Sequence, residues 1–169
     1  MIFRPVLADE SAQVTEKKGR PLPRHDETKV LPHRAEDMYA LVADVARYPE
    51  FLPWCAAARI RSQKPIDGGE VMEADLVISF KVFREKFGSR VTLYPGQRRI
   101  LTDYLDGPFK HLHSEWSFED TAPGQSQVRF TVDFEFRNPI LSGVIGLVFH
   151  EAMTRVVRAF ETRATRLYG

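Results

Sequence analysis

The side chains in this sequence that carry chemistry are few and poorly placed to act together. His111 and His113 stand two apart, a spacing that puts both on one face of a strand. A metal needs a third ligand, and no Asp or Glu stands at a spacing that would supply it, so no metal site is expected. Cys55 is the single cysteine, which rules out an intrachain disulfide and a thiol–metal cluster. Nothing flags an activating base for it, and a small buried filler is the better reading. Arg155, Arg158, Arg163 and Arg166 form a basic helix face. That face is either simply solvated or draws phosphate groups, at about 1 kcal/mol per residue near an anionic surface. No catalytic constellation emerges, and a non-enzyme is expected.

The elements that would position these groups are organised around the last stretch, Asn138 to Gly169. Asn138 reads as an N-cap and Pro139 as the first helical residue. Leu141, Ile145, Val148, Ala152, Val156, Phe160, Ala164 and Leu167 recur at spacings of three or four, one helix face. The half from Ile140 to Phe149 is apolar nearly all round, with Gly143 and Gly146 inside it. Such a helix is buried or touches something apolar outside its own core. The two glycines predict close approach of another backbone or of a ligand, since each costs roughly 1 kcal/mol relative to alanine.

Upstream, Met1 to Pro23 is polar and aperiodic and reads as a mobile tail, with one domain over residues 24–169. Arg24 to Leu31 predicts a first strand. Ala35 to Tyr48 predicts a helix, with Pro49 stopping it. The corner Tyr48 to Cys55 sets Phe51, Leu52 and Trp54 among two prolines. Strands are then predicted over residues 57–65, 71–80, 83–93, 98–105, 112–119 and 127–137, separated by Gly- and Pro-containing turns. In the last, Val128, Phe130, Val132, Phe134 and Phe136 alternate with Arg129, Thr131, Asp133, Glu135 and Arg137. One face is apolar and the other wet. A run of strands followed by a helix argues α+β, with an antiparallel sheet gripping the terminal helix.

Lys plus Arg number 24 and Asp plus Glu 23, for a net charge of +1. That balance makes no global case for nucleic acid, and DNA is not expected as a partner. No apolar run reaches the ~18 to 20 residues that span a bilayer, and the N-terminus has neither a signal-peptide core nor the acid-poor character of a transit peptide. A cytoplasmic protein with peripheral membrane contact is expected.

Several ordered motifs are similar to those of a known family. They are Tyr48-Pro49-Glu50-Phe51-Leu52-Pro53-Trp54-Cys55, Phe83-Arg84-Glu85-Lys86-Phe87-Gly88-Ser89-Arg90-Val91, Gly107-Pro108-Phe109-Lys110-His111-Leu112 and Trp116-Ser117-Phe118. To these are added Val132-Asp133-Phe134-Glu135-Phe136-Arg137-Asn138 and Ala159-Phe160-Glu161-Thr162-Arg163-Ala164. Over about Arg24 to Gly169 the chain resembles the coenzyme Q-binding family of the START-like, polyketide cyclase/dehydrase superfamily. The resemblance implies a helix-grip fold of about six to seven strands, a hydrophobic cavity that binds ubiquinone as ligand rather than cofactor, and a role in respiration. It implies no enzymatic activity. A relative described as a ribosome-association toxin supplies the alternative, for which the arginine face would meet ribosomal RNA.

On that reading the cavity is lined by Phe51, Leu52 and Trp54 from the corner and by Phe83, Phe87, Ser89 and Val91 from the third sheet strand after it. Leu112, Trp116, Phe130, Phe134 and Phe136 follow from the later strands. Leu141, Ile145, Val148, Phe149 and Met153 come from the helix. Ser89 would donate to a quinone carbonyl; the competing reading turns Glu85 to water at a strand end or bulge. Ile140, Val144 and Leu147 lie off the inward stripe and are expected to meet a membrane surface or to bury a homodimer interface.

Overall fold

The computed structural model describes residues 24–80 and 83–169; the tail expected over residues 1–23 lies outside the described residues. The alternating stretches form β1 (Arg24–Leu31), β2 (Cys55–Ile66), β3 (Gly69–Phe80) and β4 (Phe83–Tyr94). They continue as β5 (Arg99–Asp106), β6 (Phe109–Ala122) and β7 (Gln125–Phe136). All pair antiparallel in one sheet, in the order β1-β7-β6-β5-β4-β3-β2. From β2 to β7 each strand lies beside its chain neighbour, and β1 closes the far edge against β7. Register shifts at Cys55/Ala57 and Ile60/Ser62 in β2, at Leu105 of β5 opposite Gly88/Ser89, and at Phe109/His111 in β6 mark bulges. Each bulge bends its strand and sharpens its twist, so the sheet curves about its apolar face.

The helix predicted over residues 35–48 is two pieces. An α-helix, α1, covers Ala35–Ala43, and a 3-10 helix covers Val45–Glu50 with Pro49 inside it. The break falls at Asp44, whose ψ of 67° is not helical. Proline lacks the donor an α-helix needs but fits a short 3-10 turn, so it did not end the element. No side chain of its own segment caps α1. Asp120 of β6 does so instead, accepting from the Ala35 amide at 2.9 Å.

The terminal helix, α2 (Pro139–Tyr168), starts as expected, with the Asn138 side chain accepting from the Ile140 amide at 2.9 Å. Its second half enters the core. Phe160 packs edge-on against Tyr48, Phe51 and Trp116 at 5.4, 5.2 and 5.1 Å. Its first half is little buried. Gly143 and Gly146 face open space, which corrects the expectation of close approach there. The helix also corrects the expectation that no segment is apolar enough to span a bilayer. An 18-residue window of α2 has a mean hydropathy of 1.5, enough to cross a membrane by length and composition alone. His150, Glu151 and Arg155 break the run of apolar residues, and the Ile, Leu, Val and Phe residues around them keep the mean high.

Gly69 is where a backbone does approach. A Cβ there would lie 1.9 Å from the Leu93 carbonyl oxygen, which belongs to β4 and cannot move aside. Gly69→Ala is expected to destabilise by about 1–3 kcal/mol through overpacking. Gly143→Ala, in open space on a helix, is expected to stabilise by about 1 kcal/mol. Urea denaturation of the two variants should give midpoints on opposite sides of the parent's.

On the wet face, Arg61 bonds Asp75 and reaches Asp106 at 3.1 Å, tying β2 to β3 and β5. The Arg61 guanidinium holds the Asp75 carboxyl below its ordinary 3.8, as Arg129 does for Asp26. The Ala35 amide does the same for Asp120. A carboxyl depressed in the folded state adds stability above its unfolded pKa and loses it as pH falls through the folded one. Stability is therefore expected to decline below about pH 4. Asp75→Asn should start less stable at neutral pH and lose less on acidification, as followed by denaturant midpoints against pH.

Candidate functional site

Between the curved sheet and α2 lies a cavity of about 510 Å³. Aromatic rings frame it. Trp116 stacks on Phe130 at 4.2 Å and Phe109 on Phe136 at 4.7 Å. Phe134 meets Phe149 of α2 at 4.9 Å, and Phe83 meets Phe136 at 5.9 Å. Such ring pairs are stiff, so the wall keeps its shape.

Most of the expected lining is brought together here. Leu52 and Trp54 come from the corner, and Phe83, Phe87, Ser89 and Val91 from β4. Leu112, Trp116, Phe130, Phe134 and Phe136 come from β6 and β7. Ile145, Val148, Phe149 and Met153 come from α2. Two residues are elsewhere. Phe51 turns away to pack under Arg163, whose guanidinium carbon sits 5.2 Å from the ring centroid. Leu141 packs half-buried against the core outside the lining. Glu85 is exposed, while Ser89 is buried in the wall.

Sequence reasoning passed over Leu76, Ile78 and Phe80 of β3, Ile100 and Thr102 of β5, and Phe109. The alternation of β3 placed its three on one face and was the signal available for them. Phe109 was missed because β6 begins three residues before the predicted Leu112.

Polar groups in the wall are sparse. Ser89, Thr102 and Ser114 contribute hydroxyls. The Tyr48 hydroxyl donates to the Val42 carbonyl, and burial pushes its pKa up, so the phenol stays neutral. Burial likewise pushes the Cys55 thiol up, the reverse of what an activated nucleophile needs. Trp54 holds a positive φ of 65°, uncommon for a bulky residue, with its ring against Phe80 at 5.5 Å. Among the described residues no three of His, Cys, Asp and Glu stand together to hold a metal. His113 instead bonds Asp103 at 2.8 Å, and His111 lies 3.2 Å from Asp133.

A pair that the sequence did not flag ties α2 to the sheet edge. His25 of β1 is buried, with Nδ1 3.3 Å from His150 Nδ1 and Nε2 2.9 Å from Glu27. On the outer side of α2, Ile140, Val144 and Leu147 are 78%, 51% and 88% exposed.

The family model for polyketide cyclase/dehydrase and lipid transport matches residues 31–161. A ribosome association toxin, RatA, of Escherichia coli strain K12 is 37% identical over 88% of this chain and 90% of its own. A mitochondrial coenzyme Q-binding protein COQ10 homolog B of Xenopus laevis is 33% identical over 86% of this chain and 59% of its own. Among solved structures, the 18 kDa protein CC1736 of Caulobacter crescentus is 32% identical. It superposes with a TM-score of 0.73 over 88% of this chain and 99% of its own. The Zhui aromatase/cyclase of Streptomyces sp. R1128, at 19% identity, has a TM-score of 0.74 over 86% of this chain and 95% of its own, and shares the fold. Seven antiparallel strands curved about a long C-terminal helix, with this match over most of its length, place the chain in the START-like polyketide cyclase/dehydrase and lipid transport family.

Proposed function

We propose that the protein binds a ubiquinone-type isoprenoid lipid in its cavity and carries it to and from membranes without transforming it. The carrying observation is the cavity itself. About 510 Å³ lies within the roughly 300–1,000 Å³ of ligand sites. Its wall is mostly rings and aliphatic chains, with the hydroxyls of Ser89, Thr102 and Ser114 suited to orienting a carbonyl-bearing head and the charges of Glu151 and Arg155 on the α2 side. The lipid-transport family and the coenzyme Q-binding relative support the same class of ligand. An isoprenoid this apolar does not cross water alone, so its carrier must meet a bilayer. The exposed Ile140, Val144 and Leu147 are suited to shallow insertion at the headgroup boundary.

A second reading has one observation behind it. The relative at 37% identity is named for ribosome association, and the arginine face of α2 is suited to phosphate-rich RNA. Cosedimentation with ribosomal subunits over a salt series separates the two, because RNA contacts weaken steeply with salt.

Organic extraction of the purified protein is expected to release a quinone with its characteristic ultraviolet absorbance. Phe134→Trp should overfill the cavity and lower that yield while the fold survives a cost of about 1–3 kcal/mol. An unchanged yield in a folded variant would remove Phe134 from the binding wall. Val144→Asp with Leu147→Asp should abolish flotation with anionic vesicles and leave quinone uptake from detergent intact. Undiminished flotation refutes the membrane role of this segment, and conversion of a dimer to a monomer would reassign it to an oligomer interface.

A further inference from the structure

A second hollow, of about 490 Å³, lies between the Glu50–Pro53 corner and the second half of α2, and its charge is lopsided. Arg155, Arg158, Arg163 and Arg166 line it against the single carboxylate of Glu50. Arg155 pairs with Glu151 at 2.9 Å and Arg163 with Glu50 at 3.3 Å. Among the described residues Arg158 and Arg166 have no hydrogen-bond or ion-pair partner. Cations gathered on one helix face repel one another, and an anion between them relieves that.

Arg163 is held rather than solvated. Its side chain is 18% exposed and lies over Phe51, and its Nε is buried without an acceptor. A buried donor left unmet is costly, which leaves this guanidinium short of acceptors. Thr162 adds a hydroxyl to the lining. Guanidinium forks match phosphate oxygens two at a time. The hollow also adjoins the cavity, because Leu52, Pro53 and Arg155 line both. A chain attached to a phosphate held here leads straight to the apolar wall.

We propose that this cleft is a phosphate site that holds the headgroup of one anionic phospholipid at the entrance to the cavity. The proposal rests on the reading of the cavity as a lipid site. It adds a cluster of guanidinium groups beside a wall that is mostly apolar, and so gives the protein a preference among the lipids it meets.

The full chain is titrated calorimetrically at low salt with dihexanoyl phosphatidic acid, dihexanoyl phosphatidylcholine and inorganic phosphate. The same is done for Arg158→Gln with Arg166→Gln, two exposed residues whose loss breaks no internal contact; circular dichroism confirms the fold. Phosphatidic acid is expected to bind at least about ten-fold more tightly than either other probe, and the double variant to lose that margin. Quinone recovered by extraction should not change in the double variant. Equal affinity for inorganic phosphate would assign the cleft to a free ion and overturn the headgroup. Undiminished phosphatidic acid binding in the double variant would remove the arginines from the site. A short single-stranded RNA that binds through these arginines where phosphatidic acid does not would overturn the proposal in favour of nucleic acid. Absence of quinone from every preparation, with the arginine-dependent margin intact, would sink the quinone reading and leave the phosphate site standing.

Discussion

Two phenylalanines, Phe149 and Phe160, hold α2 against the sheet, and the space between them is left unfilled. Phe149 meets Phe134 at 4.9 Å and Phe160 meets Trp116 at 5.1 Å. Between these contacts the helix offers Ala152, Met153 and Val156, which reach into the cavity rather than across it. Protein interiors normally fill such space, because atoms lining a void lose their dispersion partners. The fold thus forgoes packing at its centre and leaves a space suited to an apolar ligand.

Polar pairs set the helix direction without filling that space. The contact of His25 with His150 lies beside Phe149, while Lys29 reaches Glu161 at 3.3 Å and Arg163 reaches Glu50 at 3.3 Å. Part-exposed pairs contribute little individually, about 0–1 kcal/mol each. Their value is geometric, because two of them join α2 to β1. Among the described residues that strand is paired only to β7, so the sheet edge and the helix fix one another.

The fold was legible because its signals are local. Strict alternation in β7 and the stops at Pro and Gly locate strands without knowledge of their neighbours. The N-cap of α2 was visible in Asn138-Pro139 for the same reason. What was not legible depends on distant residues. The cap of α1 comes from Asp120, 85 positions away, and the His25–His150 contact spans 125. Phe51 shows the limit within a motif. Its neighbours Leu52 and Trp54 line the cavity, but the 3-10 turn rotates Phe51 toward Phe160 and Arg163. Periodicity predicts a face for regular elements and says nothing at such a corner. The glycines of α2 misled because their helical cost was read as a sign of close approach, and both face open space.

The outer face of α2 is the part of the molecule that its own core does not explain. Ile140, Val144, Leu147, Glu151, Arg155 and Arg158 follow at spacings of three or four, so they lie on one line along the helix. That line is apolar at its start and cationic from Arg155 onward. A second copy of the chain would match it poorly. Packed parallel, two such helices set arginines against arginines. Packed antiparallel, each apolar end would desolvate the other's guanidinium groups, which is costly when they are left unpaired. A bilayer with anionic headgroups accepts both halves at once, taking the apolar end into the acyl boundary and the arginines at its phosphates. The same helix walls the cavity with Ile145, Val148 and Phe149. Contact on its outer face is therefore contact one side chain away from the cavity, and that proximity supports the proposal of a carrier that exchanges its cargo at a membrane.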